Sequence, residues 1–232
     1  MDRKKYLVVT AGGSGLRMGT ALPKQFLELE GRAVLQRTIE RFREACPDIQ
    51  VITVLPEGHV AWWRHYCQEK GFNCPQRLVK GGITRFHSVR NALEYVPDGA
   101  VVAIHDGVRP LLSVRLIREM FDRMESVRAL IPVVPTVDTL AVLDRTGDGA
   151  LKDSGELVDR SRVFGVQTPQ MFRSEDLKAA YAQGFDTLFT DDASVARRYG
   201  IPLSYAAGER NNIKLTTQED LLLAEAILQT CG

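Results

Sequence analysis

Gly12, Gly13 and Gly15 run into Arg17, and Lys24 follows, all within "VTAGGSGLRMGTALPKQF" (residues 9–26). The small apolar residues ahead of the glycines read as the end of a buried strand. Glycine lets the backbone approach a ligand closely and aim N–H groups at anionic oxygens. Arginine can then grip a phosphate through two hydrogen bonds, and lysine supplies a compact positive charge. The chemistry suggested is the seating of a phosphate. The stretch is neither G-x-x-x-x-G-K-[ST] nor a complete G-x-G-x-x-G, so both common nucleotide fingerprints are absent. Glycines alone also fit a plain strand-to-helix turn.

Three further places carry candidate chemistry. In "KGGITRFHSVRNAL" (residues 80–93), Gly81 and Gly82 end a strand, and Thr84 or Ser88 could cap or line the next helix. Bare glycines there could approach a flat base edge; a plain β-to-α loop is the competing reading. In "AIHDGVRP" (residues 103–110), a buried strand ends at Asp106, placed for a metal or a ribose hydroxyl at the carboxyl edge of a sheet. An Asp106–Arg109 turn pair is the alternative. Late in the chain, Thr190 or Asp191 and Thr216 or Thr217 precede helical patterns, and Lys214 lies just ahead of the last one. These are ordinary N-caps, at helix ends that also favour anions.

Elements must hold these residues together. Apolar runs at residues 6–11, 49–55, 100–106 and 129–134 alternate with helical periodicity at 34–45, 60–71, 88–96 and 114–124. That rhythm predicts an α/β fold: a Rossmann-like, doubly wound, largely parallel sheet with helices on both faces. It breaks at Pro135. Residues 136–163 alternate, contain a Gly-Asp-Gly turn and lack a helical period, which predicts a protruding β-arm on an otherwise single domain of 1–232. Helical patterns return after Pro169.

Composition excludes several classes. Thirty Lys+Arg against 29 Asp+Glu leave a net charge of +1, without the basic excess of a nucleic-acid binder. The four cysteines form no Cys-x-x-Cys, and His59, His65 and His87 form no ligand pattern. Trp62 and Trp63 read as core and rim. No apolar run approaches the ~20 residues of a membrane span, and a cytoplasmic protein is expected.

Taken in order, "AGGSGLRMG…PKQF", "GG…R…SV", "HDGVRP", "VDT", "VDR…QTPQ", "TDDAS" and "NIKLTTQEDLLLAE" resemble the 2-C-methyl-D-erythritol 4-phosphate cytidylyltransferases of the non-mevalonate isoprenoid pathway. The likeness runs from Ala11 to Glu225. It implies that Ala11, Gly12, Gly13, Ser14 and Gly15 wrap the triphosphate of CTP, and that Arg17 and Lys24 stabilise charge on its α-phosphate. Gly82 and Ser88 would contact the cytosine. Asp106 would lie by the ribose and Mg²⁺, as the metal residue, with Arg109 supporting that strand end on the substrate side. Thr139 and Arg160 from the arm, with Thr168, Thr190 and Lys214, would hold the polyol phosphate. The resemblance further implies a homodimer whose arms exchange, with Thr139 and Arg160 reaching the partner's site. Ile83 stands where many relatives carry an acidic residue, so base recognition would rest on backbone groups and Ser88. Ribitol-5-phosphate cytidylyltransferases share most of these motifs. A UTP- or GTP-dependent sugar-phosphate nucleotidyltransferase and a non-catalytic nucleotide-binding module are the broader alternatives.

Overall fold

The computed structural model describes residues 3–12 and 22–231. The chain begins with β1 (Lys5–Thr10). A 3-10 turn at Lys24–Phe26 leads into the small hairpin β2 (Glu28–Leu29) and β3 (Arg32–Ala33). Next come α1 (Val34–Ala45), β4 (Gln50–Leu55), α2 (Val60–Glu69), β5 (Gln76–Lys80), α3 (Arg85–Leu93), β6 (Val101–Asp106), α4 (Val114–Arg123) and β7 (Ala129–Pro135). The arm carries β8 (Leu143–Arg145) and β9 (Leu151–Asp153). The chain returns through β10 (Phe164–Val166), β11 (Gln170–Arg173), α5 (Ser174–Tyr181), α6 (Asp192–Tyr199), β12 (Ser204–Ala207) and α7 (Gln218–Cys231).

The main sheet has the order β10-β7-β11-β6-β1-β4-β5, with β12 also on β7. Pairs β6-β1, β1-β4, β4-β5 and β12-β7 are parallel; β11 lies antiparallel to both β6 and β7, and β10 antiparallel to β7. The predicted runs at 6–11, 49–55, 100–106 and 129–134 form β1, β4, β6 and β7. Strands β11 and β12 do not show in the sequence pattern, because four residues are too few to reveal a period and both border helical patterns. Every residue of β6 is buried, as a strand covered on both faces requires.

Successive residues of β1 feed opposite cores. Leu7 and Val9 pack with Leu35, Ile39 and Phe42 of α1 and with α2 and α4; Val8 packs with Phe86 and Val89 of α3 and with α5 and α6. Each of these fully buried Leu, Ile and Phe side chains contributes about 1.5–3 kcal/mol. Helix α3 starts at Arg85, three residues before the predicted start, because the Thr84 hydroxyl caps the His87 N–H. At α6 the cap is Asp191 rather than Thr190: its carboxylate accepts from Ser194 N–H in a capping box, and Gly200 closes the helix at φ +94°.

The arm spans residues 136–163, between the end of β7 and the start of β10. Its two short strands are exposed throughout, and Val137, Leu143, Leu151 and Leu157 face solvent. None of the helices among the described residues is long and apolar enough to cross a membrane.

Candidate active site

The parallel strands β6, β1, β4 and β5 end along one edge, with Thr10 in register with both Asp106 and Val54. The chain passes from β1 to β4 on one side and later returns to β6 on the other, so the order switches at β1. Ligands of open α/β sheets bind at such a switch point. A cleft of about 610 Å³ lies there, lined by Ala11, Gly12, Lys24, Gly82, Ile83, Arg85, Ser88, Asp106 and Lys214 among others. A second cleft, about 570 Å³, lies between α1, α4 and α7. Size barely separates the two; charge does, because the strand-edge cleft gathers three cations around one carboxylate.

Asp106 Oδ2 meets Lys214 Nζ at 3.1 Å and Arg109 Nε at 3.3 Å, while Oδ1 lies 3.9 Å from Arg85 Nε. Burial pushes this carboxyl's pKa up, but Arg85, Lys214 and Arg109 outweigh it and hold the group well below the usual carboxylate range. Asp106 thus pairs with Arg109 across a turn, the alternative raised from sequence, and it also lines the cleft. Arg109 is largely buried and donates through Nη1 to the Asn212 carbonyl at 2.7 Å, so it braces the strand end.

Behind Asp106 lies a buried relay. The Asp106 N–H donates to Thr168 Oγ1 at 3.1 Å, and that hydroxyl sits 3.0 Å from His105 Nδ1. His105 Nε2 is 3.2 Å from the Arg109 carbonyl, which assigns the ring proton to Nε2 and makes Nδ1 the acceptor. Burial lowers the His105 pKa to about 4, leaving the ring neutral near pH 7. Thr168, expected among the substrate contacts, is buried with its hydroxyl committed to this relay. Asn212 Nδ2 donates to the Thr168 carbonyl at 2.8 Å, and Gln167 Nε2 donates to the Glu209 carbonyl at 2.8 Å. These bonds fasten the segment leading to Lys214 against the end of β6.

Lys24 opens the 3-10 turn after Pro23 and lines the cleft. The next residue, Gln25, is buried and donates to the Ala11 carbonyl at 2.8 Å, tying the turn to the start of the glycine loop. Phe26 packs on Trp62 with ring centroids 4.4 Å apart, and on Trp63 at 6.1 Å. The tryptophan pair is thus core and rim, and it supports the turn that carries Lys24. Gly13, Ser14, Gly15 and Arg17 lie outside the described residues.

On the opposite wall, the Gly82 N–H donates to Ser88 Oγ at 3.0 Å, and Ser88 Oγ–H donates to the Thr84 carbonyl at 3.0 Å. A side chain at Gly82 would begin 2.4 Å from His87 Cβ. Glycine is required there by the first turn of α3, whatever ligand approaches. Ile83 is 95% exposed at the rim.

Thr139, Arg160 and Thr190 are not buried, and none of them lines the cleft of its own chain. Arg160 Nη1 donates to the Val137 carbonyl at 2.9 Å within the arm. Three residues escape sequence reasoning: Arg85, Gln25 and Asn212. All fall within quoted motifs, but only their partners in space reveal what they do.

Comparison with known proteins follows the same lines. The family model described as "IspD: 2-C-methyl-D-erythritol 4-phosphate cytidylyltransferase" matches residues 6–230. Proteins named 2-C-methyl-D-erythritol 4-phosphate cytidylyltransferase from Porphyromonas gingivalis strain W83 and Bacteroides thetaiotaomicron are 46% and 44% identical; the alignments cover 98% and 97% of this chain and 99% and 100% of theirs. A crystal structure of 4-diphosphocytidyl-2C-methyl-D-erythritol synthase from Anaerococcus prevotii superposes with a TM-score of 0.79 at 28% identity, covering 99% of this chain and 100% of that one. The 2-C-methyl-D-erythritol 4-phosphate cytidylyltransferase of Thermus thermophilus gives 0.75 at 29% identity, with coverage of 99% and 100%. By the family model over residues 6–230 and by relatives 44–46% identical along nearly their whole length, the chain belongs to the 2-C-methyl-D-erythritol 4-phosphate cytidylyltransferase family.

Proposed function

We infer that this protein joins CTP and 2-C-methyl-D-erythritol 4-phosphate, giving 4-diphosphocytidyl-2-C-methyl-D-erythritol and pyrophosphate. The observation that carries this reading is the strand-edge cleft, where Lys24 and Lys214 converge beside a carboxylate held ionised by its neighbours. A phosphate oxygen of the acceptor attacks the α-phosphorus of CTP, a new P–O bond forms, and the bond to the β-phosphate oxygen breaks. The attacking group is already an anion, so no general base is needed, and His105 is buried with both ring nitrogens hydrogen-bonded and does not line the cleft. Catalysis then rests on positioning two anions and absorbing charge at the five-coordinate phosphorus. Lys24 and Arg17 supply that charge, and the backbone of Ala11 to Gly15 seats the rest of the triphosphate. Gly82 and Ser88 shape the cytosine wall.

The residues fit Mg²⁺ as an ion shared with the nucleotide. Asp106 Oδ2 meets Lys214 and Arg109, whereas Arg85 Nε stands 3.9 Å from Oδ1, beyond hydrogen-bonding range, so Oδ1 is the oxygen that would hold the metal. One carboxylate oxygen plus phosphate oxygens and water is a usual Mg²⁺ environment. The ion would neutralise phosphate charge there.

The acceptor side is incomplete within one chain, because Thr139 and Arg160 stand away from the cleft on an arm whose apolar residues face solvent. A two-stranded hairpin has little independent stability. We propose that the arm packs on a second copy, burying Val137, Leu143, Leu151 and Leu157 and delivering Thr139 and Arg160 to the partner's cleft. Lys214 in the cleft lining, and Thr190 outside it just ahead of α6, would complete the polyol phosphate site from the chain's own side.

A pyrophosphate-release assay crossing CTP, UTP, ATP and GTP with methylerythritol phosphate and ribitol phosphate tests the reading. Release is expected with CTP and methylerythritol phosphate, and only with a divalent cation present. Faster release with ribitol phosphate, or with another nucleotide, contradicts it.

A further inference from the structure

Among the described residues of the cleft, Arg85 is the cation that bridges two walls. It begins α3, directly after the Thr84 cap, on the side of Gly81 and Gly82. Its Nη2 donates to Asp192 Oδ2 at 2.6 Å, and its Nε lies 3.9 Å from Asp106 Oδ1, beyond hydrogen-bonding range. Asp192 is fully buried at the start of α6, and its second oxygen accepts from the Tyr181 hydroxyl at 2.6 Å. The preceding residue, Asp191, is tied to β11 by Gln170 Nε2 at 2.8 Å. The stretch holding Thr190 is therefore anchored from below by the sheet and from the cleft side by Arg85.

Building on the proposed function, in which Thr190 belongs to the acceptor site, we propose that Arg85 is a positioning residue for the acceptor. By clamping Asp192 it fixes the first turn of α6 at a set distance from Asp106. A planar guanidinium suits this task because its donors are held in a rigid fork, whereas a lysine offers a single flexible ammonium. Tyr181 fixes the far oxygen of Asp192, so the carboxylate cannot follow a displaced cation. The nucleotide wall does not depend on the clamp, since Gly82, Thr84 and Ser88 are bonded to one another.

The test uses the full-length protein with Arg85→Lys, Asp192→Asn and the double variant. Arg85→Lys is expected to raise KM for the polyol phosphate about tenfold while KM for CTP stays within about twofold, an interaction energy of roughly 1.4 kcal/mol. The double variant is expected to be no worse than the poorer single variant, since both break one clamp. Tyr181→Phe, which removes only a hydroxyl, should shift the acceptor KM in the same direction by a smaller factor. Hydrogen exchange gives a readout independent of turnover: amides 192–195 should exchange faster in Arg85→Lys, with those of α3 unchanged. An unchanged acceptor KM in the folded variant, an equal rise in both KM values, additive effects, or unaltered exchange at 192–195 overturns the proposal. Absence of turnover in the unmodified protein defeats the functional reading instead, and the exchange measurement then decides this one. If Arg85→Lys fails to fold, Tyr181→Phe carries the same kinetic and exchange tests with the same opposing outcomes.

Discussion

Lys24 and His105 illustrate two kinds of polar residue at this site, one facing the cleft and one buried behind it. Lys24 lines the cleft from a turn held by Gln25 and the Phe26–Trp62 contact. Lys24→Ala is expected to lower kcat by about 10²–10³, the scale of losing one donor to developing oxyanion charge, with thermal unfolding nearly unchanged. Steady-state pyrophosphate release beside a melting curve checks both halves. A folded variant with near-normal turnover removes Lys24 from the chemistry. His105 acts on stability. Its pKa is lowered by burial to about 4, so its contribution is fully present above its unfolded value near 6.5 and is lost as pH falls toward 4. Unfolding free energy should therefore drop by about 3 kcal/mol over that interval. Asp106 and Glu175, whose carboxyls are held low, act below about 4.5 and leave the window clear. Denaturant titrations at several pH values should show the slope, and His105→Gln should flatten it. A slope unchanged in that variant contradicts the assignment.

At the scale of elements, the parallel half of the sheet was legible because β1, β4 and β6 are continuous apolar runs separated by amphipathic helices. Residues 136–163 were legible as an arm because they alternate around a Gly-Asp-Gly turn and carry no helical period. The antiparallel β11 was not, since Gln170–Arg173 fits a strand only once β6 and β7 offer their edges. Lys24 and Lys214 could be picked out from motif order, and Arg109 as a brace for the end of β6, but Arg85, the buried role of Thr168 and the Asn212 partner of Arg109 could not. Which face of a threonine or arginine is used depends on partners 62 and 103 residues away in sequence. Gly82 shows the same limit: sequence allowed it as a base-contacting glycine, while its position under His87 makes it indispensable to α3. Gly82→Ala should cost about 1–3 kcal/mol through overpacking and should raise KM for CTP by displacing the Ser88 bond. Chemical denaturation with CTP kinetics tests this; an equally stable variant with normal CTP affinity shows that the loop relaxes freely.

In the proposed arm-exchanged dimer, one molecule is half of a working unit. Its cleft gathers Lys24, Asp106 and Lys214 from one chain, while Thr139 and Arg160 are carried outward on an arm with exposed leucines. A self-complementary exchange of such arms closes as a two-fold dimer. In that dimer each turnover would join Lys24 of one copy to Arg160 of the other. The most direct test is co-expression of Lys24→Ala and Arg160→Ala chains, followed by pyrophosphate release from CTP and methylerythritol phosphate. Each variant alone should be nearly inactive. With random pairing, half the dimers are mixed and one of their two clefts is intact, so activity should recover to about a quarter of the unmodified level. A mixture as inactive as its parents would contradict the shared cleft.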